Sequence, residues 1–284
     1  MNTKTHTVWL FCRVIDNFGD IGVSWRLAKQ LQQEQHLQVV LWVDDVQALR
    51  ALLPEVDVHA TQACYEGIAV LQWQDALVAD LLLSAPAADV VIETFACDVP
   101  EAVRQWMVGK PMLWLNLEYL TAEAWADDVH LLPSLQSNGV KKYFYCPGFS
   151  DKTGGVSYER GLLSQERPVN QEKQQQLRQQ YGLPAIADSV HVYVFGYADA
   201  MWPKWLRMWM RGDKKTVVWL AQGSLLVDLQ RQFPELQALQ QVGDCVNVQQ
   251  LTVCLVPFVA QSEFDQVLQA ADVSVVRGED SVLR

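Results

Sequence analysis

The stretch Val8-Trp9-Leu10-Phe11-Cys12-Arg13-Val14-Ile15-Asp16-Asn17-Phe18-Gly19-Asp20-Ile21-Gly22-Val23-Ser24-Trp25-Arg26-Leu27-Ala28-Lys29-Gln30-Leu31 decides the fold. Its first part, Val8 to Val14, is nearly continuous in apolar residues, as a strand buried on both faces requires. Beyond a short polar loop, Ile21, Trp25, Leu27, Ala28 and Leu31 fall on one side of a helix, with Arg26, Lys29, Gln30 and Gln33 on the other. A strand at Gln38 to Val43, a helix at Val46 to Leu53 and a short strand near Val56 to His59 continue the rhythm. Further strands are expected at Val90 to Ile92 and Met112 to Leu117, with a helix opening at Pro100 or Glu101 between them. This β-α-β-α-β order predicts an α/β protein with a parallel, doubly wound sheet covered on both faces.

Between Pro147 and Asn170 the apolar period fades into glycines and Pro168, and Gln171 to Gln180 reads as a solvated helix. A domain junction belongs here, dividing the chain into 1–150 and 151–284. The pattern restarts with strand Val190 to Gly196, helix Trp202 to Met210, strand Thr216 to Leu220 and helix Leu225 to Phe233. Strands Val253 to Val256 and Val273 to Val276 follow, with a helix at Phe264 to Ala270 between them. Trp202, Trp205 and Trp209 are spaced to share one helical face, and a core role is favoured over a ligand platform.

Composition narrows the function classes. Half of the 284 residues are hydrophobic, enough for sizeable cores, and the formal net charge of −11 disfavours phosphate backbones and anionic membranes while suiting a cationic partner or group. The start, Met1 to Thr7, lacks the basic flank and long apolar stretch of a secretory signal, and the longest apolar runs fall short of the ~20 residues that span a bilayer. A soluble, cytoplasmic protein is expected. The six cysteines show no C-x-x-C pair and read as reduced, buried, inert thiols, and the five histidines show no ligand spacing.

Three places could carry chemistry. The first is the loop Asp16 to Gly22 after the first strand, where open α/β sheets bind ligands. Taken alone it is explained by Asp20 capping the helix and by Asp16 and Asn17 making a turn, although neither role requires two carboxylates facing a cleft. The second is Arg277-Gly278-Glu279-Asp280-Ser281 after the strand at Val273 to Val276, where Arg277 can pair with a diphosphate and Glu279 can accept from hydroxyls; a polar strand-end turn explains it equally well. The third is aromatic: Phe195 and Tyr197 end the first strand of the second half, and Phe258 with Gln261 follows the strand at Val253 to Val256. Aromatics there can sandwich a pyrimidine, yet packing beneath a loop is the commoner role. Asn116, Glu118 and Tyr119 sit at the comparable edge of the first domain, whereas Asp127, Asp128 and His130 read as solvated loop residues. No G-x-G-x-x-G, no G-x-x-x-x-G-K-[ST] and no Asp-x-Asp occurs, which removes support from nicotinamide, ATP and metal-carboxylate readings.

Several runs together resemble one family. Phe11 to Ala28 is similar to the N-terminal signature of the protein-arginine rhamnosyltransferases that act on elongation factor P. Ile92-Glu93-Thr94-Phe95-Ala96-Cys97, Trp114-Leu115-Asn116-Leu117-Glu118-Tyr119-Leu120, Pro147-Gly148-Phe149, Thr153-Gly154-Gly155, Pro257-Phe258-Val259-Ala260-Gln261 and Val276 to Ser281 follow in family order. The resemblance implies a GT-B fold of two Rossmann-like domains facing a cleft. It also implies a dTDP-β-L-rhamnose donor held by the second domain, elongation factor P as acceptor protein, and inversion at the anomeric carbon without a metal. By the same resemblance Asp16 and Asp20 match the catalytic aspartates and Glu279 an essential glutamate. Phe195, Tyr197, Phe258, Gln261, Arg277, Asp280 and Ser281 match donor-pocket positions. The sequence stops at Arg284, where a helix should begin and where members of that family continue, so an incomplete second domain is expected. A non-catalytic remnant that binds elongation factor P is the alternative, and only an enzyme needs a usable donor pocket.

Overall fold

The computed structural model describes residues 5–15, 19–160, 170–196, 198 and 201–276. The chain divides into two compact units, Met1–Ser164 and Gln165–Arg284. The division falls later than the expected junction at 150, because residues 151–160 pack on the first unit. Ser157 Oγ donates to Gln30 Oε1 at 3.0 Å, the Arg160 amide to Glu34 at 2.7 Å, and Arg26 pairs with Glu159 at 3.6 Å.

The first unit runs β1 (Thr7–Cys12), α1 (Gly19–Gln33), β2 (Gln38–Val43), α2 (Val46–Leu52), β3 (Gln62–Tyr65), β4 (Ile68–Gln72), α3 (Val78–Ser84), β5 (Val90–Thr94), α4 (Glu101–Met107), β6 (Leu113–Leu117), α5 (Trp125–Val129), β7 (Pro133–Leu135) and β8 (Lys141–Tyr145). Its sheet has the order β3-β4-β2-β1-β5-β6-β8-β7, parallel except for the edge strands β3 and β7. The alternation of strand side chains explains why β1 is apolar throughout. Val8, Leu10 and Cys12 enter the cluster beneath α1 and α2, while Trp9 and Phe11 join Trp42, Trp73 and Trp114 beneath α3 and α4. Each such fully buried large side chain stabilises the fold by roughly 1.5–3 kcal/mol.

Successive strands leave β1 first toward β2 and then, after the return, toward β5 on its other side. The carboxyl end of β1 is therefore a topological switch point, the place where an open α/β sheet offers a crevice.

The strand expected near Val56 to His59 is not formed; that segment is a run of turns. The parallel neighbour of β2 is β4, reached through a hairpin with β3 whose turn residues Glu66 and Gly67 have φ of 48° and 82°. Two successive positive φ values are the backbone twist a two-residue hairpin needs, and Gly67 supplies one at no steric cost. Val56 is buried as anticipated, but as a turn residue.

The second unit runs α6 (Gln171–Gln180), β9 (Ser189–Phe195), α7 (Trp202–Arg211), β10 (Lys215–Ala221), α8 (Ser224–Gln232), β11 (Cys245–Val248), β12 (Leu251–Val256), α9 (Gln261–Ala270) and β13 (Val273–Val276). The sheet order is β11-β12-β10-β9-β13, with β11 antiparallel at the edge. Apolar clusters under α7 and α8 on one face and under α6 and α9 on the other repeat the doubly wound plan. On α7 the core face is Trp202, Leu206 and Met210; Trp209 packs partly against it and Trp205 is exposed, so the three tryptophans do not form one buried row.

Two cysteines depart from the expectation of reduced thiols. Cys245 and Cys254 form a disulfide, because β11 and β12 place them directly opposite each other with Cα atoms 4.1 Å apart. Of the other four, Cys12, Cys97 and Cys146 are buried free thiols as expected, whereas Cys64, on the edge strand β3, is free but exposed. Burial pushes the Cys12 thiol up to about 12, raises Cys97 beyond that and raises Cys146 as well, so these side chains stay protonated and inert.

Candidate functional site

The loop after β1 delivers Asp20 one residue inside α1, in its first turn, not before the helix as a cap. A carboxylate there gains from the positive end of the helix dipole. Asp20 is 1% exposed, and both of its oxygens are held: Oδ2 accepts from the Ile15 amide at 2.9 Å and Oδ1 from the Tyr119 hydroxyl at 2.6 Å. Beneath it, Ser24 Oγ donates to the Asp20 carbonyl at 2.7 Å and lies 3.2 Å from Thr94 Oγ1, which donates to the Phe11 carbonyl at 3.0 Å. This chain of bonds ties the first turn of α1 to the ends of β1 and β5.

Among the described residues of the unit, the end of β5 gathers the most left-handed non-glycine backbone. Phe95, Ala96 and Asp98 have φ of 56°, 51° and 58°, the left-handed region, with no glycine among them. Each such residue costs of order 1–2 kcal/mol, and the turn persists because its groups are pinned. The Phe95 amide donates to the Leu117 carbonyl at 2.7 Å and the Ala96 amide to Asn116 Oδ1 at 2.8 Å. The turn sets the Phe95 ring parallel to that of Tyr119, with centroids 3.9 Å apart and planes 3° from parallel.

A second polar group lies on the opposite face of β5. Glu93, 1% exposed, accepts from Lys142 Nζ at 2.6 Å, and Lys142 also lies over the Trp114 ring at 5.1 Å. Asn116 donates to Glu118 Oε1 at 2.5 Å. Burial raises the Glu118 carboxyl above the usual range and the Glu93 charge adds to this, while the Asn116 bond and the Lys142 charge oppose it. The ends of β5 and β6 therefore carry two groups: Phe95 and Asn116 support Tyr119, which bonds the carboxylate on α1, while Glu93, paired with Lys142, lies on the other face of β5.

Of the site residues expected from sequence, Asp20, Phe195 and Phe258 lie within the described residues. Asp16, Tyr197, Arg277, Glu279, Asp280 and Ser281 lie outside them. Phe195 closes β9 and packs edge-on against Phe264 of α9 at 5.0 Å, so it is partly core; Phe258 is exposed between β12 and α9, and Gln261 is the first residue of α9. β13 pairs with β9, Val276 opposite Phe195. Because β9 leads to β10 on one side and has β13 on the other, the switch point of the second sheet lies where Phe195 ends and where the sequence continues into Arg277. The loop residues 127, 128 and 130 are placed in or beside α5, where Asp127 accepts from Ser150 and His130 Nδ1 accepts from the Cys146 amide. Among the described residues no group of three or more His, Cys, Asp or Glu is arranged to hold a metal ion. No helix among them is long and apolar enough to cross a membrane.

Sequence reasoning placed Asn116, Glu118 and Tyr119 at this edge without assigning them partners. It missed the contribution of Glu93 and Lys142, for which the one available signal was a charged residue inside an apolar strand, Val90-Val91-Ile92-Glu93-Thr94.

Comparison with known proteins identifies a family and several relatives. The family model of EarP, the elongation factor P (EF-P) rhamnosyltransferase, matches residues 8–284. A protein-arginine rhamnosyltransferase of Neisseria meningitidis is 44% identical over 288 residues, covering 100% of this chain and 72% of the relative. Proteins of the same name from Shewanella oneidensis and Pseudomonas aeruginosa are 38% and 39% identical, each over 97% of this chain and 72% of its own length. A solved structure reported as the structural basis for EarP-mediated arginine glycosylation of translation elongation factor EF-P superposes with a TM-score of 0.58 at 28% identity. It covers 98% of this chain and 69% of that one, and the two Rossmann-like units accord with the GT-B fold.

Proposed function

This chain belongs to the EF-P rhamnosyltransferase family, and on that premise we propose that it transfers L-rhamnose from dTDP-β-L-rhamnose to an arginine side chain of elongation factor P. The observation that carries the reading is the Asp20 carboxylate, buried and held by two hydrogen bonds at the switch point of the first sheet. A guanidinium has a pKa above ~12, so its nitrogen attacks only after a proton is removed and its lone pair localised. A fixed carboxylate can do the first, and the acidity of the chain suits a cationic acceptor. In this reading Asp16 orients the guanidinium and Asp20 takes the proton as general base. The freed nitrogen attacks the anomeric carbon from the face opposite the diphosphate, so the C–N bond forms as the bond to dTDP breaks, with inversion.

The second unit would hold the donor. Phe195, Tyr197, Phe258 and Gln261 would contact the base, Arg277 the diphosphate, and Asp280 and Ser281 the neighbouring oxygens, while Glu279 positions the sugar. No divalent cation is required in this scheme. The reaction takes place in the cytoplasm, where the translation factor is found.

The deciding experiment is mass spectrometry of elongation factor P incubated with this chain and dTDP-rhamnose. A mass gain of one deoxyhexose on an arginine is expected. An unmodified factor under conditions where dTDP binding is demonstrated would refute the transfer reading and leave a binding role.

A further inference from the structure

We propose that Tyr119 is a positioning residue for the transfer reaction, a brace that fixes the direction of the Asp20 carboxylate and is itself locked by the Phe95 turn and Asn116. The inference rests on the reading of Asp20 as the general base. Three observations carry it. The Tyr119 hydroxyl donates to Asp20 Oδ1 at 2.6 Å across a sequence separation of 99 residues, while the Ile15 amide holds Oδ2. A carboxylate bonded at both oxygens cannot swivel about its Cβ–Cγ bond, so the direction in which it accepts a proton is set before the acceptor arrives.

Second, the brace is supported where a free tyrosine would not be. Tyr119 is 37% exposed, and an exposed ring would ordinarily sample several rotamers. Here it lies parallel to Phe95 with centroids at 3.9 Å, closer than the ~4.5–7 Å usual for aromatic pairs. Third, Phe95 is held there by unfavourable backbone: consecutive left-handed residues at 95 and 96, secured by the Leu117 carbonyl and the Asn116 side chain. Conformational strain maintained next to a reactive carboxylate is the pattern expected when position is the purpose. The order of dependence is Asn116 to the Phe95 turn, the turn to Tyr119, and Tyr119 to Asp20.

Tyr119→Phe tests this, since it keeps the ring and the stack and removes only the donor. Steady-state transfer to elongation factor P should show kcat reduced about tenfold to a hundredfold, with KM for both substrates within about twofold and an unchanged melting temperature. A residue that merely fills space would move neither constant, and one that grips the acceptor would raise KM; either result overturns the proposal. Because Tyr119 acts through Asp20, Asp20→Asn combined with Tyr119→Phe should transfer no more slowly in single turnover than Asp20→Asn alone, and a further tenfold drop would refute the dependence. If Asp20→Asn turns over normally, the reading of Asp20 as base fails and this proposal with it; if Asp20→Asn is slowed but Tyr119→Phe is normal, this proposal fails alone. Phe95→Leu provides an independent variant, leaving the hydroxyl in place but releasing the ring. It should lower kcat in the same direction, and an unchanged kcat in folded protein would count against the brace.

Discussion

Replacing Lys142 by methionine should cost the first unit about 3–5 kcal/mol, far more than an ordinary lysine substitution. The Glu93 carboxylate is 1% exposed and its ion-pair partner is Lys142 Nζ at 2.6 Å. Methionine preserves the apolar stem that packs near Trp114 and Phe144 but removes the charge. Breaking one side of a buried pair leaves an uncompensated charge, which typically costs 3–5 kcal/mol. A ceiling of similar size comes from the alternative of protonation: keeping an ordinary glutamate neutral at pH 7 costs about 3.7 kcal/mol, from roughly 2.7 pH units at 1.36 kcal/mol each. For a unit of this size 1 kcal/mol corresponds to roughly 2–4 °C in melting temperature, so a fall of about 6–20 °C is expected. The companion variant, Lys142→Met with Glu93→Met, should recover most of the loss, since replacing both partners of a buried pair by apolar side chains of similar volume is often nearly neutral. Thermal and urea melts followed by tryptophan fluorescence would measure both. A single-variant loss below about 1 kcal/mol, or a double variant as unstable as the single, would refute the argument that the pair compensates a buried charge.

Three further outcomes are expected. Asp20→Asn should slow transfer by about a hundredfold to ten-thousandfold, to a residual rate seen in single turnover, while the protein stays folded, because asparagine can keep bonds to Ile15 and Tyr119 but cannot accept the proton; turnover with circular dichroism on the same sample decides it. Arg277→Ala should weaken dTDP binding severalfold while a chelator leaves wild-type binding unchanged, and calorimetry showing loss on chelation would overturn the metal-free reading. Glu118→Gln should stabilise the protein at neutral pH: burial raises the Glu118 carboxyl in the folded state, so its contribution is fully present below the unfolded value and is lost as pH rises through the folded one. The melting temperatures of variant and wild type should converge in acid and separate toward neutrality, and a constant gap would contradict the assignment.

How much of this was legible in sequence depended on burial. β2 falls at the anticipated residues, and β1, β5, β10 and β12 within a few of them, since strands covered on both faces, or nearly so, must be written in continuous apolar residues; β13 also falls where anticipated, although among the described residues it lies at the sheet edge and is half exposed. Edge strands have no such obligation. β3, β7 and β11 were missed, as was β8, whose sequence Lys141-Lys142-Tyr143-Phe144-Tyr145 begins with two lysines, one of which is in place because Glu93 needs it. The interior strand β4 was missed too, although Ile68, Val70 and Leu71 are buried, because the strand expected near Val56 to His59 had taken its place as the neighbour of β2. Val56 to His59 misled because a buried turn residue and a β-branched neighbour imitate a strand. At the site, the loop carrying Asp20 could be located because it follows the first strand, but its partners could not. Tyr119 lies 99 residues away, and Lys142 lies 49 from Glu93. Pairing across such separations is a product of strand order, which local periodicity does not encode.

The end of β5 explains why the candidate site needs so many residues that do no chemistry. Glu93 and Thr94 are consecutive in a strand and so point to opposite faces of the sheet. Thr94 reaches α1, where Ser24 passes the bonding on to the carbonyl of Asp20, and Glu93 reaches Lys142 on β8 beneath the other face. The next residue, Phe95, turns left-handed and meets Tyr119, which returns to the carboxylate of the same Asp20. Backbone and side chain of one aspartate are thus fixed through a single strand end, the first by way of α1 and the second by way of β6. The general base proposed for this position would gain from this because a displacement of about 1 Å can cost a hundredfold in rate. It follows that changes at Glu93, Thr94, Phe95 and Asn116 should lower transfer by moving Asp20, whereas changes at Asp20 itself should remove the proposed proton acceptor. The two classes can be separated by asking whether a substitution still matters once Asp20 is asparagine.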